Sequence, residues 1–320
     1  MKAATLGSVG EVSRLTLGGG IGQIWGEVTR EEALATIHAA VDAGITLLDC
    51  APMYLNAEAF LGEAFGGAPP THLRFTTKCQ LGSPDPRDVA AALEASLTTS
   101  LAALRLPKVG VFFLHSNIHL DGFTYAFGDA AKDRFSTALS IYENEVVATM
   151  EALKASGRID AWGITGIGVP TAVLAAMERS KPDVVQVIAN LMDSPGALKR
   201  YAEPARPREI AAAAKAKGLG VMGIRAVQAG ALTAVVDREL TANNPDRLDY
   251  DRAAPFRALC TRWGQDPAYV AHRYALSLPN FDTVVLGVKN RAELAMCVQA
   301  EADGAYSAVE MAEIDGLGLA

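Results

Sequence analysis

Short apolar segments rich in β-branched residues alternate along the chain with alanine-rich segments whose apolar residues recur at helical spacing. The first pattern is typical of buried strands and the second of amphipathic helices. The predicted strands are Arg14–Gly19, Thr46–Ala51, Phe75–Leu81, Val109–Ser116, Ala161–Ile167, Val184–Leu191, Val221–Val227 and Thr283–Val288. The helices predicted to follow them are Arg30–Ala43, Ala57–Phe65, Pro86–Leu104, Glu143–Ser156, Pro170–Arg179, Pro207–Lys217, Ala253–Trp263 and Arg291–Ala302.

Eight strands that are each followed by a helix predict an α/β fold of the (β/α)8 TIM-barrel type. A doubly wound sheet is the alternative, but it is typically marked by Gly-x-Gly-x-x-Gly at the start of a helix. The glycine-rich segment Gly18–Gly22 runs instead into Gln23-Ile24-Trp25, which has no helical pattern. The segments Lys2–Leu6 and Val9–Leu17 predict an N-terminal β-hairpin before the barrel.

Two connections are too long to be simple loops. Asn117–Leu139 follows the fourth predicted strand and Gln228–Asp251 follows the seventh. In a barrel of this type both lie at the C-terminal face, where substrate pockets are built. No internal repeat or linker is visible, so residues 1–320 are expected to form a single domain.

Composition narrows the classes of partner and compartment. Half of the 320 residues are hydrophobic and a fifth are charged, which argues against a disordered chain. The formal net charge is −7, which argues against a nucleic-acid partner. The four cysteines show no CxxC spacing, so we expect reduced thiols and a cytoplasmic protein. No apolar run is long enough to predict a membrane span, and no signal-peptide pattern is present. His115 and His119 lack a third ligand nearby, so no metal is predicted.

Polar side chains stand at the ends of three consecutive predicted strands. Asp49, Lys78 and His115 close the second, third and fourth strands, and Tyr54 follows Asp49 by five residues. Because the C-terminal ends of barrel strands meet at one rim, these side chains are expected to converge. The sequence therefore predicts a site made of a carboxylate, an ammonium, an imidazole and a phenol.

This set of groups suits the acid-assisted reduction of a carbonyl. A phenol with a pKa of about 10 is a weak acid at neutral pH, and a neighbouring ammonium stabilises its phenolate. The carboxylate keeps the ammonium charged and oriented, and the histidine hydrogen-bonds the carbonyl oxygen. No side chain supplies a hydride, so a nicotinamide cofactor and a small-molecule carbonyl or alcohol substrate are predicted.

The motifs around these residues resemble the aldo-keto reductase family along nearly the whole chain. Asp42–Tyr54 resembles the signature D-A-G-x-x-x-x-D-T-A-x-x-Y, while Phe75–Lys78 and Phe113–His115 are similar to the family's lysine and histidine strands. The resemblance implies Tyr54 as proton donor, Lys78 and Asp49 as the pair that tunes it, and His115 as an orienting residue or relay.

The resemblance also implies a set of cofactor-binding positions. They are Gly19, Gly20, Asp49, Thr165, Gln186, Ile224, Arg225, Val227, Gly287, Lys289 and Arg291. Lys289 and Arg291 suit an adenosine 2′-phosphate, which favours NADP(H). Thr165-Gly166 is also similar to NAD-linked sugar dehydrogenases, so NAD(H) stays possible.

The substrate-binding residues expected from this reading are Trp25, Tyr54, His115 and Asn117. Two other functions stay open. A lysine at a barrel strand end can form a Schiff base, so Lys78 could serve an aldolase-type lyase. Substitutions around the nicotinamide positions also leave a nicotinamide-binding, redox-sensing regulatory subunit possible. The sequence does not set the physiological substrate, the direction of reaction or the oligomeric state.

Overall fold

The computed structural model describes residues 1–22, 26–125 and 129–320. Its strands are β1 (Ala3–Thr5), β2 (Glu11–Ser13), β3 (Leu15–Leu17), β4 (Leu47–Asp49), β5 (Arg74–Cys79), β6 (Val109–Leu114), β7 (Asn117–His119), β8 (Ser136–Ala138), β9 (Ile159–Thr165), β10 (Val184–Ile188), β11 (Gly220–Ile224) and β12 (Thr283–Leu286). Eight of them, β3 to β6 and β9 to β12, close into a parallel barrel in chain order. The predicted TIM barrel is confirmed.

Helices surround the barrel. They are α1 (Arg30–Asp42), α2 (Ala57–Ala64), α3 (Val89–Leu104), α4 (Asp129–Phe135), α5 (Leu139–Ile141), α6 (Val147–Ala155), α7 (Pro170–Ser180), α8 (Pro207–Ala216), α9 (Pro245–Arg252), α10 (Ala254–Trp263), α11 (Pro267–Ser277), α12 (Arg291–Ala302) and α13 (Ala308–Asp315). Each predicted helix has a counterpart among them. The short helices α4, α5 and α9, which lie in or beside the two long connections, were not predicted, and neither was α11. It begins with a clear signal, because the Asp266 side chain accepts the Ala268 N–H at 2.7 Å and Pro267 is the first helical residue.

The predicted N-terminal hairpin is present, as β1 paired antiparallel with β2. Its second arm is shorter than predicted, because the chain leaves the hairpin at Ser13 and joins the barrel at Leu15. The apolar side chain of Leu6 packs under the barrel with Phe113 and Val184. A Cβ atom on Gly220 would lie 2.8 Å from Leu6 Cδ1, so the missing side chain there makes room for this contact.

The two long connections have structure of their own. In the loop after β6, β7 pairs with β8 and α4 lies between them. The loop after β11 contains α9. No helix in the described ranges is long and apolar enough to cross a membrane.

Candidate active site

The structure brings Asp49 and Lys78 together at the C-terminal ends of β4 and β5. Lys78 Nζ donates to Asp49 Oδ2 at 2.6 Å and to the Cys50 carbonyl at 2.9 Å. The other carboxylate oxygen of Asp49 accepts from Thr76 Oγ1 at 2.5 Å and from Gln186 Nε2 at 2.8 Å. Burial opposes the lysine charge, but Asp49 outweighs it and raises the pKa of Lys78. The pair is therefore a buried ammonium and carboxylate.

Tyr54 lies beside this pair on the loop after β4. Lys78 Nζ is 4.5 Å from the centroid of the Tyr54 ring. Burial raises the pKa of the phenol, and the Lys78 charge opposes that rise without cancelling it. The Lys78 charge thus acts in the direction that the sequence argument expected, and the net rise comes from burial, which that argument left out. Desolvation is the larger effect, and it keeps the phenol protonated at neutral pH.

His115 completes the group at the end of β6. Its ring meets the Tyr54 ring edge-on, with centroids 5.7 Å apart and planes at 88°. Burial, followed by the charge of Lys78, lowers the pKa of His115 well below its usual value. The imidazole is therefore neutral at neutral pH. Its Nδ1 is buried without a hydrogen-bond partner among the described residues.

A cavity of about 840 Å³ opens above these side chains. This volume is in the range of about 300–1,000 Å³ that ligand sites occupy. The predicted site residues in its lining are Gly19, Gly20, Asp49, Tyr54, His115, Asn117, Thr165, Gln186, Ile224, Arg225, Val227, Gly287 and Lys289. The lining thus runs from the ends of β4 and β6 to the start of α12, which suits an elongated ligand.

Thr165 and Gln186 are register partners on β9 and β10, at the level of Asp49. The Thr165 hydroxyl donates to the Leu114 carbonyl at 3.2 Å. The Gln186 amide nitrogen is held by Asp49, while its carbonyl oxygen has no donor among the residues that the structure describes. That oxygen can accept a hydrogen bond from an amide placed in the cavity.

Arg225 follows β11 with a backbone φ of 60°, a left-handed conformation. Its guanidinium donates to Asp246 Oδ1 at 2.9 Å and to Gln228 Oε1 at 2.9 Å. Arg238 lies 3.6 Å from the other Asp246 oxygen. Arg225 therefore fixes the start of the long loop to α9 while it lines the cavity.

The two basic residues predicted to bind a 2′-phosphate are both paired with carboxylates. Lys289 donates to Asp237 and lies 3.6 Å from Glu293. Arg291 is outside the cavity lining, and its guanidinium binds Glu32 at 2.8 and 3.2 Å. The Arg291 backbone N–H also donates to Glu32 at 3.0 Å, and these hydrogen bonds lower the pKa of Glu32 to about 2. The start of α12 therefore already carries an anion.

Of the predicted substrate-binding residues, Asn117 lines the cavity with Tyr54 and His115, whereas Trp25 lies outside the described residues. The sequence argument missed Gln80, Phe135, Leu198 and Arg200, which also line the cavity. Phe135, Leu198 and Arg200 lie on loops or loop helices, where no periodic pattern marks them, and Gln80 follows β5 although the predicted strand included it. In the described ranges, no group of three or more His, Cys, Asp or Glu side chains is placed to hold a metal ion.

Comparisons with known proteins agree with this architecture. The model of the Aldo/keto reductase family matches residues 14–318. L-galactose dehydrogenase from Arabidopsis thaliana is 24% identical over 291 residues, which cover 89% of this chain and 83% of that protein.

Two solved structures share the fold. A glycerol dehydrogenase from Gluconobacter oxydans superposes with a TM-score of 0.71 at 20% identity, over 98% of this chain and 94% of that one. An aldo-keto reductase from Bacillus halodurans, in its holo form, gives a TM-score of 0.74 at 21% identity, over 99% and 96%.

Proposed function

The chain belongs to the aldo/keto reductase family of oxidoreductases, and we propose that it transfers a hydride reversibly between a nicotinamide cofactor and the carbonyl or alcohol group of a small molecule. The observation that carries the proposal is the meeting of Tyr54, Asp49 and His115 at one end of a cavity of about 840 Å³, with Lys78 ion-paired to Asp49 beside the Tyr54 ring.

Tyr54 is the proposed proton donor to the carbonyl oxygen. Its raised pKa keeps the phenol protonated until charge develops on that oxygen. Lys78, with Nζ 4.5 Å from the ring centroid, then stabilises the phenolate that remains. Asp49 holds the ammonium in place through the hydrogen bond of 2.6 Å. In the reverse direction the same phenolate takes the proton from an alcohol.

His115 is proposed to orient the carbonyl oxygen. Because its pKa is lowered by burial and by Lys78, the ring is neutral and has one N–H to donate. A neutral donor polarises the carbonyl without competing with Tyr54 for the proton transfer. The edge-on contact with the Tyr54 ring holds both groups at one end of the cavity.

The residues present fit a nicotinamide dinucleotide. The free carbonyl oxygen of Gln186 suits an amide group beside Asp49, and the lining continues from there past Arg225 to Gly287 and Lys289. A bound nicotinamide would supply the hydride that no side chain can give. Thr165 can contribute only as an acceptor, since its hydroxyl proton is donated to the Leu114 carbonyl.

The sequence favoured NADP(H), but the ion pairs at the start of α12 weaken that preference. Lys289 faces Asp237 and Glu293, and Arg291 is bound by Glu32 away from the cavity lining. A 2′-phosphate at this position would be repelled by these carboxylates, and both basic residues are already ion-paired. We therefore propose NAD(H) as the better-bound cofactor, with NADP(H) as the alternative.

The relatives support a small polar substrate. Their names specify L-galactose and glycerol, both alcohols that carry several hydroxyl groups. The amides of Gln80 and Asn117 in the cavity can pair with hydroxyl groups of this kind. We propose a polar aldehyde, ketone or sugar as the substrate class.

Lys78 is poorly suited to the aldolase alternative. A Schiff base needs a neutral amine, whereas Lys78 is ion-paired with Asp49 and has a raised pKa. The regulatory alternative needs no proton donor, yet all four polar groups of the proposed mechanism are assembled.

The test is turnover of NADH and NADPH with a panel of aldehydes, ketones and sugars, in wild type and Tyr54→Phe. We expect turnover in the wild type and a loss of about 10²- to 10⁴-fold in the variant, with unchanged cofactor affinity. Absence of turnover with intact cofactor binding would favour the regulatory alternative. Near-normal turnover in Tyr54→Phe would remove the mechanism.

A further inference from the structure

Arg200 differs from the other arginines and the lysine that line the cavity. Arg225 and Arg238 contact Asp246, and Lys289 contacts Asp237. Among the described residues no carboxylate contacts Arg200, although it lines the same cavity. The loop after β10 therefore brings to the cavity a positive charge that no carboxylate of the described residues pairs with.

Aromatic side chains hold this guanidinium in place. Arg200 Nη1 donates to the Tyr125 hydroxyl at 2.8 Å. Its Cζ lies 4.3 Å from the centroid of the Phe135 ring and 5.8 Å from that of Tyr125. Such contacts orient an arginine at little cost in affinity for anions, because the residues that the structure describes use only one of its five N–H donors.

The position of Phe135 relates Arg200 to the proposed catalytic residues. Phe135 precedes Ser136, and Ser136 is the register partner of Asn117. Asn117 in turn follows His115 by two residues. Arg200 thus contacts the residue that precedes β8, the strand that pairs with β7 just after the proposed catalytic histidine, and it shares the cavity with Tyr54.

We propose that Arg200 binds an oxyanion group of the substrate, remote from the carbon that is oxidised or reduced. The inference rests on the proposed function and narrows its substrate class to aldehydes, ketones or alcohols that also carry a carboxylate or a phosphate. The planar guanidinium can pair with two oxygens of either group, which a neutral sugar does not offer. The gain is expected to be about 10- to 100-fold in kcat/KM over the uncharged analogue.

The competing explanation for the position of Arg200 is a purely structural role, in which it packs on the aromatic rings and binds no substrate. Arg134 provides a matched control, because its Cζ lies 4.9 Å from the centroid of the same Phe135 ring. It is exposed and is not part of the cavity lining. Arg134→Met therefore removes a cation from the Phe135 ring and leaves the charge in the cavity unchanged. Arg200→Met removes a cation from the same ring and also removes the charge from the cavity.

The experiment compares probes that share a carbon skeleton. Butanal is paired with succinate semialdehyde for the carboxylate, and glyceraldehyde with glyceraldehyde phosphate for the phosphate. For wild type, Arg200→Met, Arg200→Lys and Arg134→Met, kcat and KM are measured for each probe. Calorimetric titration of the protein loaded with oxidised cofactor, which cannot reduce an aldehyde, gives the affinity for the two acids independently of turnover. Thermal unfolding verifies the fold of each variant.

We expect the kcat/KM of the wild type to be about tenfold or more higher for one acid-bearing probe than for its neutral analogue. Arg200→Met should abolish this difference by raising KM for the acid, while kcat and KM for the neutral probes stay unchanged. Arg200→Lys should restore part of it, and Arg134→Met should change nothing. Whichever acid is preferred identifies the anion. Equal use of acids and neutral probes by the wild type, or a preference that survives Arg200→Met, overturns the inference. If no probe is turned over, the proposed function fails, and titration still decides whether Arg200 binds the acids.

Discussion

A Cβ atom on Gly19 would lie 2.2 Å from Cδ2 of the Tyr54 ring. The chain just after β3 therefore carries no side chain at the point where the Tyr54 ring packs against it. A Cβ atom on Gly22 would likewise lie 2.1 Å from the Tyr54 carbonyl oxygen. These contacts explain why glycines occur in the segment Gly18–Gly22. Tyr54 and its loop pack directly against the backbone of this segment, where side chains would collide with them.

Gly19→Ala is expected to displace the Tyr54 ring and lower kcat by about tenfold or more, since small misplacements of a reacting group are costly. Overpacking should also cost about 1–3 kcal/mol of the free energy of unfolding. Gly157→Ala serves as the control, because Gly157 has a φ of 76° after α6 and no atom within 4 Å of its missing Cβ. The control should lose stability through strain but keep kcat. Equal kcat in both variants would mean that Gly19 does not position Tyr54.

The sequence predicted the barrel well because its signals are local. Each strand is a short apolar run, and each helix carries its own spacing or cap. The same local reading predicted the convergence of Asp49, Lys78 and His115, since all three stand at strand ends whose geometry a parallel barrel fixes. It missed α11 (Pro267–Ser277), because one helix per strand was expected and α10 (Ala254–Trp263) was already assigned as the helix after the seventh predicted strand.

The electrostatic partners could not be predicted in the same way. Glu32 is 259 residues from Arg291 in the chain, and Asp237 is 52 residues from Lys289. No local pattern links residues so far apart, so the basic residues looked available to a phosphate. Arg200 was missed for a related reason, since its place in the cavity depends on aromatic residues of another loop.

Lys78→Met should destabilise the protein by about 3–5 kcal/mol, because it leaves the buried Asp49 carboxylate without its cation. The double variant Asp49→Asn/Lys78→Met should regain most of that stability, since neither charge remains. Turnover should stay abolished in both. Chemical denaturation and steady-state kinetics of the two variants provide the measurement. A double variant as unstable as Lys78→Met would show that packing rather than the unpaired charge causes the loss.

His115 should make the protein less stable on the acid side. Its pKa is lowered in the folded state, so below about pH 6.5 the His115 imidazole binds a proton in the unfolded chain but stays neutral in the folded protein. The free energy of unfolding should then fall with decreasing pH by up to about 1.4 kcal/mol per pH unit from this group. Urea unfolding from pH 7 to pH 5 should show a smaller fall in His115→Asn. The exposed His38 provides the control, and an equal effect of His38→Asn would contradict the assignment.

The charges around Lys289 should decide the choice of cofactor. Asp237 and Glu293 contact its ammonium, so the double variant Asp237→Asn/Glu293→Gln frees a cation that lines the cavity. Wild type should bind NADH at least as tightly as NADPH. The double variant should gain about tenfold in NADPH affinity, since one charge-assisted hydrogen bond is worth about 1.5 kcal/mol or more, while its NADH affinity stays nearly constant. Fluorescence titration without substrate gives both dissociation constants.

Glu32→Gln is the matched control. It frees Arg291, which is outside the cavity lining, and should not change the ratio of the NADPH and NADH dissociation constants. Tenfold tighter binding of NADPH by the wild type would instead confirm the preference that the sequence alone predicted, and would mean that these ion pairs open for the 2′-phosphate.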